Sequence, residues 1–111
     1  ILRFEVTARF KSDYRRLSAV EKQAFQKAVR EFSGACDRVV GSRKVEWPQS
    51  LRVKAVQGAP GVWEMTWSFS GPDGRATWEW ITVDVIKGGK AKTEPAVRWR
   101  RVGGHRIFAE P

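Results

Sequence analysis

Four of the six tryptophans lie in one stretch, residues 61–80, in which apolar and polar side chains alternate. Successive side chains of a β-strand point to opposite faces, so the alternation predicts two strands, over 62–69 and 75–83, each with an aromatic face. The aromatic side carries Trp63, Met65, Trp67, Phe69, Ala76, Trp78 and Trp80. Between the strands, Pro72 fixes its own φ, and Asp73-Gly74 is expected to supply a positive φ. This segment therefore constrains the chain to form a β-hairpin whose aromatic face is buried.

Two helices are predicted near the N-terminus. The pair at 12–13 offers an N-cap for a short helix that runs through Leu17. Ser18 and Glu21 have the spacing of a capping box, in which each side chain binds a free amide at the start of a second helix. Apolar residues recur behind this box at helical spacing, and Gly34 can end the helix in the left-handed conformation. The apolar stripe is expected to pack on the sheet.

The remaining segments predict further strands. Alternating patterns predict a strand over residues 2–10, another over 51–56 and a last one over 96–102. Residues 35–49 are expected to be irregular, and 86–95 form a basic, glycine-containing loop. The predicted order is β-α-α-β-β-β-β, an α+β fold with a mainly antiparallel, twisted sheet and two N-terminal helices packed on one face.

Length and charge limit the possible partners. The 111 residues suffice for a single domain, 1–111, with a modest core. A net charge of +9 favours a polyanion: nucleic acid, an acidic protein or an anionic membrane surface. The alternative is a basic surface that only confers solubility. No membrane span is expected, and the single cysteine, Cys36, allows neither an internal disulfide nor a zinc set. A reducing cytoplasm is the simplest compartment, and no metal or cofactor is predicted.

Acids lie among bases on the polar side of the predicted sheet. If the helices cover the tryptophans, that side gathers Arg52, Lys54, Glu64, Thr66, Thr77, Glu79, Arg98 and Arg100. A few carboxylates among cations suit general-base chemistry on a phosphodiester, because the cations hold the phosphates. The alternative is a solvated face on which opposite charges pair across strands. Histidine is the residue type that ordinarily changes charge near neutral pH, so His105 is the natural general acid or base; the alternative is a surface histidine.

Three patterns, in their order and spacing, resemble the RelE/ParE superfamily of type II toxins, particularly its RelE-like and HigB-like, phage-related branch. The first is the strand and helical pair FEVTARFKSDYRRLSAVEKQAFQKAVREF. The second is LRVKAVQGAPGVWEMTW, a basic strand, a Gly-x-Pro-Gly segment and an aromatic strand. The third is VRWRRVGGHRIF, a closing strand followed by glycines and a histidine. The resemblance covers nearly the whole chain.

The resemblance implies a function and a set of site residues. Many relatives cut messenger RNA in the ribosomal A site by activating the 2′-hydroxyl to attack the adjacent phosphate. By position, it implies that Glu64 takes that proton and that His105 protonates the leaving oxygen. The phosphate-holding residues would be Arg52, Lys54, Arg98 and Arg100. The implied partners are a cognate acidic antitoxin, mRNA and the ribosome.

The sequence departs from the family pattern at Thr66, where many relatives carry an arginine. The arginine that stabilises the transition state then comes from Arg75, Arg98 or Arg100, or is absent. Phe108 stands at the usual C-terminal aromatic position and cannot transfer a proton as tyrosine could. Two other functions stay open: a non-catalytic, ParE-like inhibitor of DNA gyrase, and a catalytically defunct member that binds RNA or antitoxin.

Overall fold

The computed structural model describes residues 3–37, 46–68 and 73–111. It is an α+β fold with two helices and a five-stranded mixed sheet. The elements are β1 (Arg3–Val6), α1 (Ala8–Arg15), α2 (Ala19–Asp37), a 3-10 turn (Gln49–Leu51), β2 (Lys54–Ala55), β3 (Val62–Ser68), β4 (Gly74–Lys87), β5 (Lys90–Gly103) and a C-terminal 3-10 turn (His105–Ala109). The order of helices and strands is the predicted one.

The sheet has the strand order β1-β5-β4-β3-β2. β1 runs parallel to β5, and the other neighbouring strands are antiparallel. The register places Trp63 opposite Trp78, and Trp78 opposite Trp99. A row of indoles therefore crosses the three central strands on one face.

The helices cover this aromatic face, as the alternation predicts. Trp78 is fully buried, and its ring meets that of Phe32 in α2 edge-on at a centroid distance of 4.9 Å. Phe25 packs edge-on against Trp67 at 6.2 Å. The predicted burial holds for Trp67 and Trp78, whereas Trp80 is 40% exposed. The core thus lies between α2 and the aromatic side of the sheet.

The first helix begins earlier than predicted, at Ala8, and the predicted cap at 12–13 is wrong. Thr7 is the N-cap: its hydroxyl accepts a hydrogen bond from the Phe10 amide at 3.1 Å. The same hydroxyl donates to the Arg100 carbonyl at 2.7 Å. Because the threonine joins the helix start to β5, the predicted strand over 2–10 ends at Val6.

The second helix begins as predicted and ends later. The capping box is present: the Ser18 amide donates to Glu21 Oε1 at 2.8 Å, and the Glu21 amide donates to Ser18 Oγ at 3.1 Å. The helix continues through Gly34 to Asp37, so the predicted end at Gly34 is wrong. The extra turn buries Ala35, and this packing outweighs the roughly 1 kcal/mol that glycine costs inside a helix.

Two predictions about the sheet are also wrong. The strand predicted over 51–56 is limited to Lys54–Ala55, because Leu51 ends a 3-10 turn and Arg52 follows it with φ +46°, in the left-handed region. The loop predicted over 86–95 is instead the end of a long hairpin. Gly88 and Gly89 both have positive φ and make the two-residue turn that a right-twisted hairpin favours.

Gly74 has a different purpose from the predicted one. Residues 69–72, with Phe69 and Pro72, lie outside the described residues, and Gly74 itself lacks a positive φ. A Cβ atom on Gly74 would lie 2.4 Å from Cε2 of Trp67. The Trp67 indole lies directly over this glycine, and its Nε1 donates to the Arg75 carbonyl at 2.8 Å. Glycine is therefore required at position 74 because a side chain would collide with the Trp67 indole, and not because of its backbone φ.

Gly74→Ala is expected to lower the free energy of unfolding by about 1–3 kcal/mol, because the added methyl displaces a packed indole. Gly104→Ala is the matched control, since nothing lies within 4 Å of a Cβ built there, and its effect should stay within about 0.5 kcal/mol. Urea unfolding of both variants measures the difference. Equal effects would show that Trp67 does not depend on this close approach.

Candidate functional site

The sheet face opposite the tryptophans carries most of the predicted site residues. We call it the outer face and define it by Lys54, Glu64, Arg75, Thr77, Glu79, Arg98 and Arg100. These residues alternate along the strands with those that pack against the helices. The register sets Lys54 opposite Glu64, Glu64 opposite Thr77, and Glu79 opposite Arg98. The sheet thereby brings acids and bases from distant parts of the sequence together.

Glu64 lies at one end of this face, between two cations. The residue is 8% exposed. Its Oε1 lies 3.9 Å from Lys54 Nζ and 3.9 Å from Arg75 Nε. Arg75 also reaches Asp73 Oδ2 at 3.3 Å. The structure therefore brings together three predicted site residues: a carboxylate and two cations that the sequence predicts to bind phosphate.

Glu79 is the centre of a second cluster. Its carboxylate binds Arg100 through one oxygen, and its other oxygen lies 3.6 Å from Arg98 Nη1. Arg98 in turn contacts Glu5 Oε2 in β1 at 3.2 Å. The two arginines predicted to hold phosphates are thus fixed side by side by one acid between them.

Thr77 and Arg100 already hold an oxygen atom. The Thr77 hydroxyl donates to the Pro111 carbonyl oxygen at 2.9 Å, and Arg100 Nε donates to the same oxygen at 3.1 Å. A hydroxyl and a guanidinium that converge on one oxygen make the type of contact that binds a phosphate oxygen. This pair lies beside Glu64, since Thr77 is its register partner across adjacent strands.

A β-bulge lies in β5 at Arg100. Thr77 pairs with Arg101 and Trp78 pairs with Trp99, so Arg100 is the additional residue of β5. Alternation from Arg98 already places Arg100 on the outer face. The bulge shifts the register beyond Arg100, and Arg101 binds Asp13 of α1. Bulges are frequent beside active sites.

Asp13 anchors this bulge. Its carboxylate accepts hydrogen bonds from Arg101 Nε at 2.6 Å, from Arg101 Nη2 at 3.2 Å and from the Val102 amide at 3.2 Å. The hydrogen bond to Asp13 raises the pKa of the Arg101 guanidinium above its ordinary value. The sequence patterns do not reveal this role. Aspartate is a residue type typical of helix N-caps, and the partner of Asp13, Arg101, lies 88 positions away in the sequence.

His105 and Arg52 are placed differently from the other predicted residues. His105 is exposed in the C-terminal turn, and its ring packs edge-on against Phe108 at 5.3 Å. Among the described residues, no hydrogen bond, ion pair or ring contact joins His105 to Glu64. Arg52 is exposed at the end of the 3-10 turn and precedes the strand in which it was predicted to lie.

Neither a metal centre nor a membrane-spanning helix is found in the described part of the chain. Within it, no three metal-ligating side chains cluster together. Neither of its helices combines the length and the apolar character that crossing a membrane requires.

Comparisons with known proteins do not place the chain in a family. The sequence matches no family model, and neither a curated protein nor a solved structure matches it. The resemblance to the RelE/ParE superfamily therefore rests on sequence patterns, and the chemistry of the outer face is what bears on function.

Asp13→Asn is expected to lower the free energy of unfolding by about 3 kcal/mol, because it removes the charge that Arg101 and the Val102 amide bind in a buried position. Glu110→Gln is the matched control, since it breaks an exposed ion pair with Arg9 at the same change in charge. Its effect should stay below about 1 kcal/mol. Urea unfolding gives both values, and similar losses would contradict the anchoring role of Asp13.

Proposed function

We propose that this protein is a RelE-like toxin of a type II toxin–antitoxin system that binds and cleaves messenger RNA on the ribosome, in the cytoplasm. One observation carries the proposal: Glu64, between Lys54 and Arg75, lies next to the oxygen-binding pair Thr77 and Arg100. A carboxylate beside donors that hold an oxygen is what cleavage of a phosphodiester by its own 2′-hydroxyl requires.

In the proposed reaction, Glu64 accepts the proton of the 2′-hydroxyl, and the freed oxygen attacks the adjacent phosphorus. The bond to the 5′-oxygen breaks, leaving a 2′,3′-cyclic phosphate on one product and a 5′-hydroxyl on the other. Thr77 and Arg100 bind a non-bridging phosphate oxygen in the position that the Pro111 carbonyl oxygen now holds. The phosphate therefore has to displace the C-terminal segment.

His105 is the proposed donor of the proton that the leaving 5′-oxygen takes. The C-terminal segment already reaches the outer face, because Pro111 bonds to Thr77 and Arg100 there. His105 begins the turn that leads into this segment, and Ile107 holds the turn in place with 4% of its surface exposed. In the proposed complex, His105 reaches the phosphate from this anchored turn once RNA has displaced Pro111.

The proposed partners follow from the charge of the outer face. Phosphate groups of mRNA and ribosomal RNA complement its cations and supply a binding energy that falls with salt. A cognate acidic antitoxin would cover the same cations and compete with RNA. Arg75 supplies the charge that Thr66 lacks, since Arg75 is the register partner of Thr66 in β4.

A non-catalytic function is the second candidate, and the ion pairs of Glu64 favour it. Glu64 pairs with two cations as an ordinary cross-strand ion pair would, and Thr66, at 1% exposure, brings no charge of its own. The same surface could then bind RNA or an antitoxin without cleavage, or inhibit DNA gyrase in the manner of the ParE-like branch. Cleavage assays separate these functions.

Glu64→Gln and His105→Ala are each expected to slow single-turnover cleavage of ribosome-bound mRNA by about 10²–10⁴-fold, the usual contribution of a positioned base or acid. Ribosome binding should persist in both variants, and Glu64→Gln should bind slightly more tightly because a negative charge is lost. Glu31→Gln makes the same charge change at an exposed position of α2, on the helical side of the sheet, and its cleavage rate should stay near that of the wild type.

Primer extension on mRNA from translating ribosomes measures the cleavage. Wild-type protein that binds ribosomes tightly and leaves every mRNA intact would contradict the nuclease and favour RNA binding alone. Loss of DNA supercoiling by gyrase in the presence of the protein, without mRNA cleavage, would favour the gyrase inhibitor.

A further inference from the structure

The hairpin of β4 and β5 extends well beyond the rest of the sheet. β1 pairs with β5 only as far as Ala96, and β3 pairs with β4 only as far as Glu79. Residues 82–95 pair with each other and, among the described residues, with no third strand. We call this segment the ribbon. The molecule is correspondingly elongated, with principal extents of 47 × 30 × 28 Å.

Three lysines share one face of the ribbon. The register sets Val85 opposite Lys92 and Lys87 opposite Lys90. Side chains alternate along β4 from Glu79, so Val85 and Lys87 lie on the same face as Glu79. The lysines therefore continue the outer face toward the tip of the ribbon.

Among the described residues, two of these three lysines have no carboxylate to pair with. Lys87 binds Glu94, which also lies 3.7 Å from Arg3, and the Lys87 ammonium lowers the pKa of the Glu94 carboxyl below its ordinary value. Lys90 and Lys92 are exposed, and within the described residues neither has a carboxylate partner. Their charge is available to an external anion.

We propose that the ribbon is a second RNA-binding element, in which Lys90 and Lys92 contact phosphates of the RNA strand that also occupies the outer face. The inference rests on the proposed function, which makes RNA the partner of that face. From Glu79 to Lys87 the strand spans about 26 Å at roughly 3.3 Å per residue. A nucleic-acid strand with stacked bases rises about 3.4 Å per nucleotide and covers this distance in about eight nucleotides. Lysine contacts to phosphate fix position rather than sequence, so the ribbon adds affinity without base preference.

The test compares two double variants of equal charge. Lys90→Gln with Lys92→Gln removes two cations of the ribbon and leaves a polar, uncharged side chain at each position. Lys11→Gln with Lys27→Gln removes two exposed lysines from α1 and α2, on the opposite side of the sheet. The probe is a 20-nucleotide single-stranded RNA with 2′-O-methyl groups, which cannot be cleaved by its own hydroxyl. Dissociation constants are measured over a range of salt concentrations.

The ribbon variant should reduce the slope of log affinity against log salt by about 1.4, or about 0.7 for each phosphate that a lysine no longer neutralises. The helix variant should keep the wild-type slope. If the ribbon variant keeps the wild-type slope, the inference is overturned. The same result is expected if the ribbon binds an acidic protein instead of RNA. The proposed function still stands in that case, provided that the wild-type protein binds the RNA. Equal reductions in both variants overturn the inference too. Wild-type protein that fails to bind this RNA contradicts the proposed function itself.

Discussion

The fold depends on the burial of Trp78 at the centre of the sheet. Its ring contacts those of Phe32, Trp47, Trp63 and Trp80. Its indole Nε1 has no hydrogen-bond acceptor among the described residues, which costs about 1–3 kcal/mol. Burying an aromatic side chain contributes about 4–6 kcal/mol at roughly 25 cal/mol per Å², so aromatic packing offsets that cost. The side of the sheet that these rings occupy decides where the charged side chains can lie.

Because the aromatic side chains take one face, the charges of the same strands must share the other. Within the described ranges, three carboxylates there each lie between two cations: Glu64 with Lys54 and Arg75, Glu79 with Arg98 and Arg100, and Glu94 with Lys87 and Arg3. Exposed ion pairs add little to the free energy of unfolding. The main effect of these pairs is therefore to fix the positions of the cationic side chains. This arrangement holds cations at intervals along one face, which suits the phosphate backbone of the proposed RNA partner.

The sequence alone predicts the parts of this arrangement that depend on local periodicity. The period of two along the tryptophan strands predicts which face is buried, and the spacing of Ser18 and Glu21 predicts the start of α2. Contacts between distant positions leave no such pattern: the partner of Asp13 is 88 residues away, and the indole over Gly74 is visible only in three dimensions. Glycines also mislead the prediction of strand ends. The two glycines at 88–89 predict a loop, whereas they form the two-residue turn of the ribbon.

The proposed function places RNA on the outer face and not on the helical side of the sheet. Chemical footprinting of lysines with and without bound 2′-O-methyl RNA distinguishes the two sides, because both carry exposed lysines. We expect RNA to protect Lys54, Lys90 and Lys92 from modification and to leave Lys11 and Lys27 as reactive as in the free protein. Protection of the helical lysines with an unprotected outer face would contradict the account.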